Sequence, residues 1–452
     1  MSLAVVEGLV LFLAVCGSIY AWGHLLLFDW IDVATLVWQA AAVSLCCIVA
    51  FYYNDLYDLR VVRSFGLFAS RLLQSFGVAL ILLAGFFMLF PDAGIAEAPF
   101  VSSLLVSAGL LVPLRAIGYT IMRHQAFADR VLVLGTGTIA RRIITEIESR
   151  PNFRYAIVGV MDEGNGVDAS GLSYPVLGPL ERLDKIVGEV KPDRLIVALT
   201  ERRGRMPMGQ LLECGARGIL VEDGLSTFEQ FAGKLPIEAM TPSFLVFSGA
   251  FRKSRLQLAQ RRLVSLLAAT VGLILTAPIT VLIAIAIKLD SRGPVFYVDV
   301  RAGRDGKPFR LVKFRTMHPP EDGHNPVGSV WVRDDESRIT RVGRLIRRLR
   351  LDELPQFWNI LKGDMDLVGP RPEIISNLQA MAEQIPYYSL RHTIRPGLTG
   401  WAQTRFGYSV SLEQVTEKMR YDLFYIKHMS VWLDLRILVD TVKIVLFGRG
   451  AK

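Results

Sequence analysis

Four apolar runs near the N-terminus, about Leu3 to Leu27, Ile31 to Tyr53, Leu72 to Phe90 and Phe100 to Met122, are each long enough to cross a bilayer as a helix. In hydrocarbon the backbone finds no water to bond, so such runs are expected to be helical and to pack as a four-helix membrane bundle over residues 1–125. The first run carries Glu7, lacks a basic flank and exceeds signal-peptide length, which makes it a retained helix. Over the whole chain 52% of 452 residues are hydrophobic and 21% charged, too apolar for an ordinary soluble enzyme.

Loop charges orient this bundle. Arg60, Arg63 and Arg71 follow the second run and Arg123 and Arg130 the fourth, whereas the loops around Asp29 and Asp92 to Glu97 hold no Lys or Arg. By the positive-inside rule both ends of the bundle face the cytoplasm. Cys16, Cys46 and Cys47 lie in apolar runs and Cys214 stands alone, with no CxxC, which fits a reducing compartment. Glu7 and Arg115 are charges inside the bundle and candidates for a pathway through it.

Residues 126–250 change character. "RVLVLGTGTIARRI" reads as a strand, a turn at Gly135 and Gly137, and a helix, and "YAIVGVMDE" as a second strand ending at Asp162. A Rossmann-like α/β domain follows from this alternation. Its weak candidate site for a nucleotide is Gly135 and Gly137 under a pyrophosphate with Asp162 near a ribose, although Ala140 stands where a third glycine is usual.

Residues 251–452 hold 32 Lys and Arg against 19 Asp and Glu, leaving 19 of the chain's 51 bases and 23 of its 42 acids for residues 1–250. The net +9 is therefore concentrated at the C-terminal end, which favours phosphates or lipid headgroups as partners; no nucleic-acid partner is expected. A fifth apolar run, about 263–288, has basic residues on both flanks, among them Arg255, Arg261, Arg262, Lys288 and Arg301. Pro278 inside it removes a helix hydrogen bond. A re-entrant helix that breaks at Pro278 and returns to the same face satisfies both facts, with Thr276 available to the freed backbone; a kinked spanning helix is the alternative.

Beyond it, "GPVFYVDVRAGRDGKPFRLVKFRTM" alternates like a hairpin turning at Gly303 to Gly306 and presents Lys313 and Arg315. The run "RITRVGRLIRRLR" sets Arg344, Arg347 and Arg348 at helical spacing directly before the Asp352-Glu353 pair. "PQFWNILKG" then reads as a helix with Pro355 in its first turn and Gly363 as its C-cap, so both carboxylates sit at its positive end and are expected to stay ionised. None of the six histidines forms HExxH or a close pair, which argues against zinc. Paired carboxylates among Lys313, Arg315 and Arg347 suit Mg²⁺ and phosphoryl chemistry, in which a carboxylate can itself attack phosphorus. The plain alternative is a helix cap for the pair.

"KFRTM" (Lys313 to Met317), "LDELPQFWNILKGDM" (Leu351 to Met365), "LVGPRP" (Leu367 to Pro372) and "RPGLTGWAQ" (Arg395 to Gln403) closely resemble the bacterial sugar transferase family of polyprenyl-phosphate phosphoglycosyl transferases. The resemblance covers about 255–449, extends to Glu417 to His428, and implies a mainly α, monotopic catalytic domain with a re-entrant membrane helix. It implies transfer of a sugar 1-phosphate from a UDP-sugar to undecaprenyl phosphate with release of UMP, at the start of exopolysaccharide, capsule or O-antigen synthesis. By the same resemblance Asp352 is the nucleophile that becomes a phosphosugar-aspartate, Glu353 holds Mg²⁺, and Arg371 and Arg405 contact phosphate, a salt bridge from Arg371 to Glu373 being the plain alternative. The implied location is the bacterial inner membrane, with the Rossmann-like and catalytic domains cytoplasmic; homo-oligomerisation stays open. Departures from the family pattern at Arg350, Asp366, Asp299 and "TRFGY" bear on which sugar is taken. Two other classes are a membrane-bound NAD-dependent nucleotide-sugar dehydratase or epimerase, whose Tyr-x-x-x-Lys pair occurs nowhere in the chain, and a non-catalytic polysaccharide-assembly protein, which the intact Asp352-Glu353 pair disfavours.

Overall fold

The computed structural model describes residues 2–23, 32–57, 65–91, 94–123, 128–149, 155–162, 172–199, 206–240, 253–318, 338–406 and 411–447. Arg60, Arg63, Asp29 and Asp92, used above for orientation, lie outside them. The chain divides into two compact units, residues 1–132, 147–159 and 184–194 in one and 133–146, 160–183 and 195–452 in the other.

In the first unit four apolar helices form, α1 (Ser2–Tyr20), α2 (Val33–Tyr53), α3 (Phe65–Leu89) and α4 (Glu97–Arg123). Helix α1 packs on α2 and α4, and α3 packs on α2 and more lightly on α4. Leu11, Val15, Val43, Phe51, Phe68 and Leu111 form their shared core, while Leu9, Leu45, Leu73, Ile81 and Leu105 point outward. Helices apolar on both sides need a lipid environment. With the helix at 255–290, five helices among the described residues are long and apolar enough to cross a membrane. Glu7 and Arg115 pair with each other: Arg115 donates from Nη2 to Glu7 Oε2 at 3.0 Å, and also from Nε, joining α1 to α4. Its guanidinium carbon lies 5.4 Å from the Tyr57 ring centroid. Two opposite buried charges neutralise each other, so the pair acts as an internal fastener.

The middle segment forms a Rossmann-like parallel sheet with helices. Its strands are β1 (Asp129–Leu134), β2 (Tyr155–Asp162), β3 (Val176–Pro179), β4 (Arg194–Val197) and β5 (Leu220–Asp223), bonded in the order β3-β2-β1-β4-β5. Interspersed are α5 (Thr138–Glu148), α6 (Leu183–Val190), α7 (Met208–Ala216) and α8 (Gly224–Ala232). Gly135, at the end of β1, has φ +117°, and a Cβ there would lie 2.6 Å from the Ala198 carbonyl oxygen. Backbone packing alone therefore demands glycine at this position.

In the second unit, α9 (Arg255–Asp290) is one continuous helix. Ser254 and Gln257 close a capping box at its start. Helical structure runs through Pro278, which lies inside the helix and not in a gap between two helices. One lost hydrogen bond in a 36-residue helix is outweighed by the bonds on either side. The Thr276 hydroxyl bonds the Gly272 carbonyl at 2.6 Å, within its own turn, and does not cover the carbonyl that Pro278 frees. Arg261 and Arg262, counted above as flanking charges, turn into the protein. Arg261 reaches Asp434 Oδ2 at 2.6 Å and the Val368 carbonyl at 2.9 Å; Arg262 donates to the carbonyls of Ile360 and Met365 at 2.7 and 3.0 Å.

The hairpin forms as expected, β6 (Phe296–Ala302) antiparallel to β7 (Pro308–Phe314). After it come α10 (Arg341–Arg348), a 3₁₀ turn at Leu351–Glu353, α11 (Gln356–Lys362), β8 (Asp366–Val368), α12 (Leu378–Gln384), β9 (Gly397–Thr399) parallel to β8, α13 (Trp401–Arg405), α14 (Leu412–His428) and α15 (Val431–Phe447). Ile360, Met365, Leu367, Trp401, Leu423, Tyr425 and Ile437 form its core together with Leu235, Ile237 and Met240. The residues just after α8 thus pack as part of the C-terminal core, and the packing seam falls earlier in the chain than residue 250. Trp401 Nε1 donates to the Gly233 carbonyl at 2.8 Å, and Glu229 takes Lys427 and His428, each at 2.5 Å.

Candidate active site

The Asp352-Glu353 pair is held by the elements around it. Helix α10 opens on Thr340, whose hydroxyl accepts from the Gly343 N–H at 2.9 Å, and ends in a turn that puts Arg350 at φ +58°. A left-handed arginine is uncommon. It reverses the chain so that the 3₁₀ turn at Leu351–Glu353 can start at once. Leu351 and Leu354 pack with Ile283, Ile287, Phe314 and Ile346, anchoring both sides of the pair to the C-terminal part of α9. Pro355 then opens α11, and Gly363 at φ +97° closes it. A Cβ on Gly272 of α9 would lie 2.8 Å from the Phe357 ring, so only glycine lets the two helices approach there. The pair is thus flanked by two leucines that pack on a helix apolar enough to enter a membrane.

Glu353 Oε1 accepts from Arg371 Nη2 at 3.0 Å and faces Lys313 Nζ at 3.5 Å. Burial works to raise the Glu353 carboxyl, but Arg371, then Lys313 and Arg350, outweigh it and push it down to about 2 from an ordinary 4.5. Asp352 moves the other way. Burial and then the Glu353 charge raise it, against Lys313, Arg347 and Arg350. The surroundings therefore hold Glu353 firmly ionised and shift Asp352 upward from the ordinary carboxylate range. No hydrogen bond or ion pair to the Asp352 carboxylate is seen among the described residues. Lys313 is itself lowered, by burial and then by Arg371.

The other candidates divide. Arg347 is close enough to Asp352 for its charge to be felt. Arg371 pairs with Glu353, not with Glu373. Arg315 is turned away: its guanidinium donates to the carbonyls of Ser291 and Arg292, both at 2.8 Å, and fastens the end of α9. Arg405 lies against Asp440 at 3.5 Å and over the Trp401 ring at 4.3 Å. Gly135 and Gly137 bracket the turn before α5 and Asp162 ends β2, the arrangement expected of them.

Sequence reasoning missed the support behind Arg371. Buried Arg391 donates to Glu373 Oε1 at 3.0 Å, to Asp422 Oδ2 at 2.8 Å and to the Arg371 carbonyl at 3.3 Å, and Lys418 adds a second cation on Glu373 at 3.0 Å. One signal was available: Met419, Asp422, Leu423 and Ile426 share one face of α14, so Asp422 had to be buried and paired.

The family model described as bacterial sugar transferase matches residues 256–448, and one described as a CoA-binding domain matches residues 52–207. The UDP-glucose:undecaprenyl-phosphate glucose-1-phosphate transferase of Escherichia coli (strain K12) is 31% identical over 346 residues, 75% of this chain and 73% of the relative. This chain belongs to the bacterial sugar transferase family. Another family member, the UDP-N-acetylgalactosamine-undecaprenyl-phosphate N-acetylgalactosaminephosphotransferase of Aeromonas hydrophila, is 36% identical over 281 residues, 62% of this chain and 63% of the relative. The undecaprenyl-phosphate glucose phosphotransferase of Komagataeibacter xylinus is 32% identical over 334 residues, 72% and 61% of the two. The chain thus spans a little under two thirds of the length of these last two family members.

Proposed function

We propose that this family member is a membrane-bound phosphoglycosyl transferase that moves a sugar 1-phosphate from a UDP-sugar to undecaprenyl phosphate and releases UMP, as the initiating step of a surface polysaccharide. The observation that carries the reading is the Asp352 carboxylate, without a hydrogen bond or ion pair among the described residues, beside a Glu353 held ionised by Lys313 and Arg371. The chemistry runs in two displacements. An Asp352 carboxylate oxygen attacks the β-phosphorus, the bond from that phosphorus to UMP breaks, and UMP leaves with the electron pair. An oxygen of undecaprenyl phosphate then attacks the same phosphorus and the Asp352 carboxylate leaves. Burial favours this nucleophile, because a poorly solvated carboxylate gains by sharing its charge with phosphorus. Lys313, Arg347 and Arg371 are the cations available to the donor's phosphates.

Mg²⁺ fits the donor set: Glu353 Oε2 and Asp352 are hard oxygens, and Mg²⁺ is commonly held by one or two carboxylates plus substrate phosphates. Among the described residues no group of three His, Cys, Asp or Glu gathers as a ligand set, so substrate and water would complete the shell. Bound there, the ion would supply charge neutralisation for the diphosphate.

The same proposal has α9 enter and leave one face of the inner membrane. A straight helix of 36 residues is about 54 Å long, well beyond a hydrocarbon core of about 30 Å. Pro278 and the basic flanks favour a bend that leaves both ends, and the Rossmann-like and catalytic domains, on the cytoplasmic side. The test is UMP release by the purified protein from a panel of UDP-sugars with undecaprenyl phosphate; no release with any of them would end the proposal.

A further inference from the structure

Asn359 sits in the middle of α11, 1% exposed, and its carboxamide makes three hydrogen bonds. Oδ1 accepts from the Val312 N–H at 3.0 Å; Nδ2 donates to the Arg310 carbonyl at 2.6 Å and to Asp364 Oδ2 at 3.2 Å. Val312 and Arg310 are two apart on β7, so these backbone groups share one strand edge. The side chain serves that edge as a neighbouring strand would. Lys313 is the next residue of β7, and Glu353 lies one turn before Asn359's helix; Lys313 Nζ and Glu353 Oε1 are 3.5 Å apart. Asn359 supplies side chain to backbone hydrogen bonds between these two segments, whose Phe314, Leu351 and Leu354 also pack together.

We propose that Asn359 is a positioning residue for the transfer: by binding both polar groups of the β7 edge it fixes the distance from Lys313 to Glu353. This rests on the transferase reading only for its effect on rate. An amide is required because the edge offers one donor and one acceptor, and Asn supplies the complement of both. Replacing it leaves two part-buried backbone groups without this partner and frees β7 to slide on α11, moving Lys313 away from the carboxylates.

The test uses the full-length protein in detergent and the variants Asn359→Ser, which removes the amide, and Asn359→Asp, which turns its donor into an acceptor against the Arg310 carbonyl. A zero-length carbodiimide cross-link between Lys313 and Glu353, mapped by peptide mass spectrometry, reads the distance whether or not the protein turns over. Its yield should fall several-fold in either folded variant. UMP release should also slow in Asn359→Ser, yet the same change in a Lys313→Met background should leave the rate within about two-fold, as expected for residues acting through one another. An undiminished cross-link, equal slowing in both backgrounds, or failure of both variants to fold would overturn the proposal by making Asn359 a purely structural residue. A wild-type protein that releases no UMP but loses the cross-link in the variants would sink the transferase reading and leave this one standing.

Discussion

Arg371 and Glu353 are 18 residues apart in sequence and meet at 3.0 Å, Nη2 to Oε1. That contact separates the two adjacent carboxylates chemically. Glu353 becomes the fixed anion, and Asp352 is left raised and without a partner among the described residues, a division of labour that adjacent acids with like surroundings would not have.

The acid limb of kcat/KM should report Asp352. Its carboxyl is raised by burial and by Glu353, so Glu353→Gln should move that limb to lower pH, while Lys313→Met, which deletes a lowering charge, should move it up. Stability has the opposite source. Glu353 is depressed when folded, so its contribution is fully present above its unfolded value of 4.5 and fades as pH falls toward about 2. Acid unfolding of wild type and Glu353→Gln should differ most above pH 4.5 and converge below; parallel curves across that window would contradict the assignment.

Asp352→Asn keeps the shape and removes the attacking charge. Turnover should fall by several orders of magnitude, and mass spectrometry after incubation with UDP-sugar alone should find a phosphosugar adduct on Asp352 in wild type and none in the variant. An adduct on another residue would move the nucleophile.

Arg315 and Arg371 should fail differently. Arg315→Ala strands the Ser291 and Arg292 carbonyls and should cost about 2–4 kcal/mol of stability, by the usual penalty for breaking buried charged hydrogen bonds. Arg371→Ala removes the charge that most lowers Glu353, so it should reduce both the melting temperature and kcat/KM, whereas Arg315→Ala should reduce stability alone. A catalytic defect without a stability defect in Arg315→Ala would return that residue to the phosphate site.

Single cysteines near Arg255 and near Arg301 should both be labelled from the cytoplasmic side and neither from the periplasm. Periplasmic labelling near Arg301 would establish a spanning α9.

In the middle domain Gly137→Asp should block nucleotide binding in the turn before α5 yet leave transfer near normal, as for a scaffold. Gly135→Ala should lower thermal stability, because its φ of +117° and the Ala198 carbonyl exclude a Cβ. Loss of transfer in folded Gly137→Asp would make the domain part of the activity.

Local signals were legible where local chemistry decides. The hairpin turn, the Pro355 and Gly363 helix limits and the four apolar runs follow from residues a few positions apart. Arg315 was misread because period-two alternation sets it on the face of Lys313, whereas β7 stops at Phe314 and the chain turns toward α9. Arg391, Asp422 and Asn359 depend on partners tens of residues away, and a buried polar side chain shows its purpose only once those partners arrive. Pro278 is a strong local signal that stands inside a helix continuing on either side.

The indole N–H of Trp401 is satisfied by Gly233, and Glu229 holds Lys427 and His428. A chimera that transplants the transferase part with its seam at the change of composition near residue 250 would sever these bonds and leave an apolar scar where Leu235, Ile237 and Met240 had been. Cutting ahead of Asp223 carries the clasp along with its lock, so the heritable unit of this catalyst is longer than its motifs.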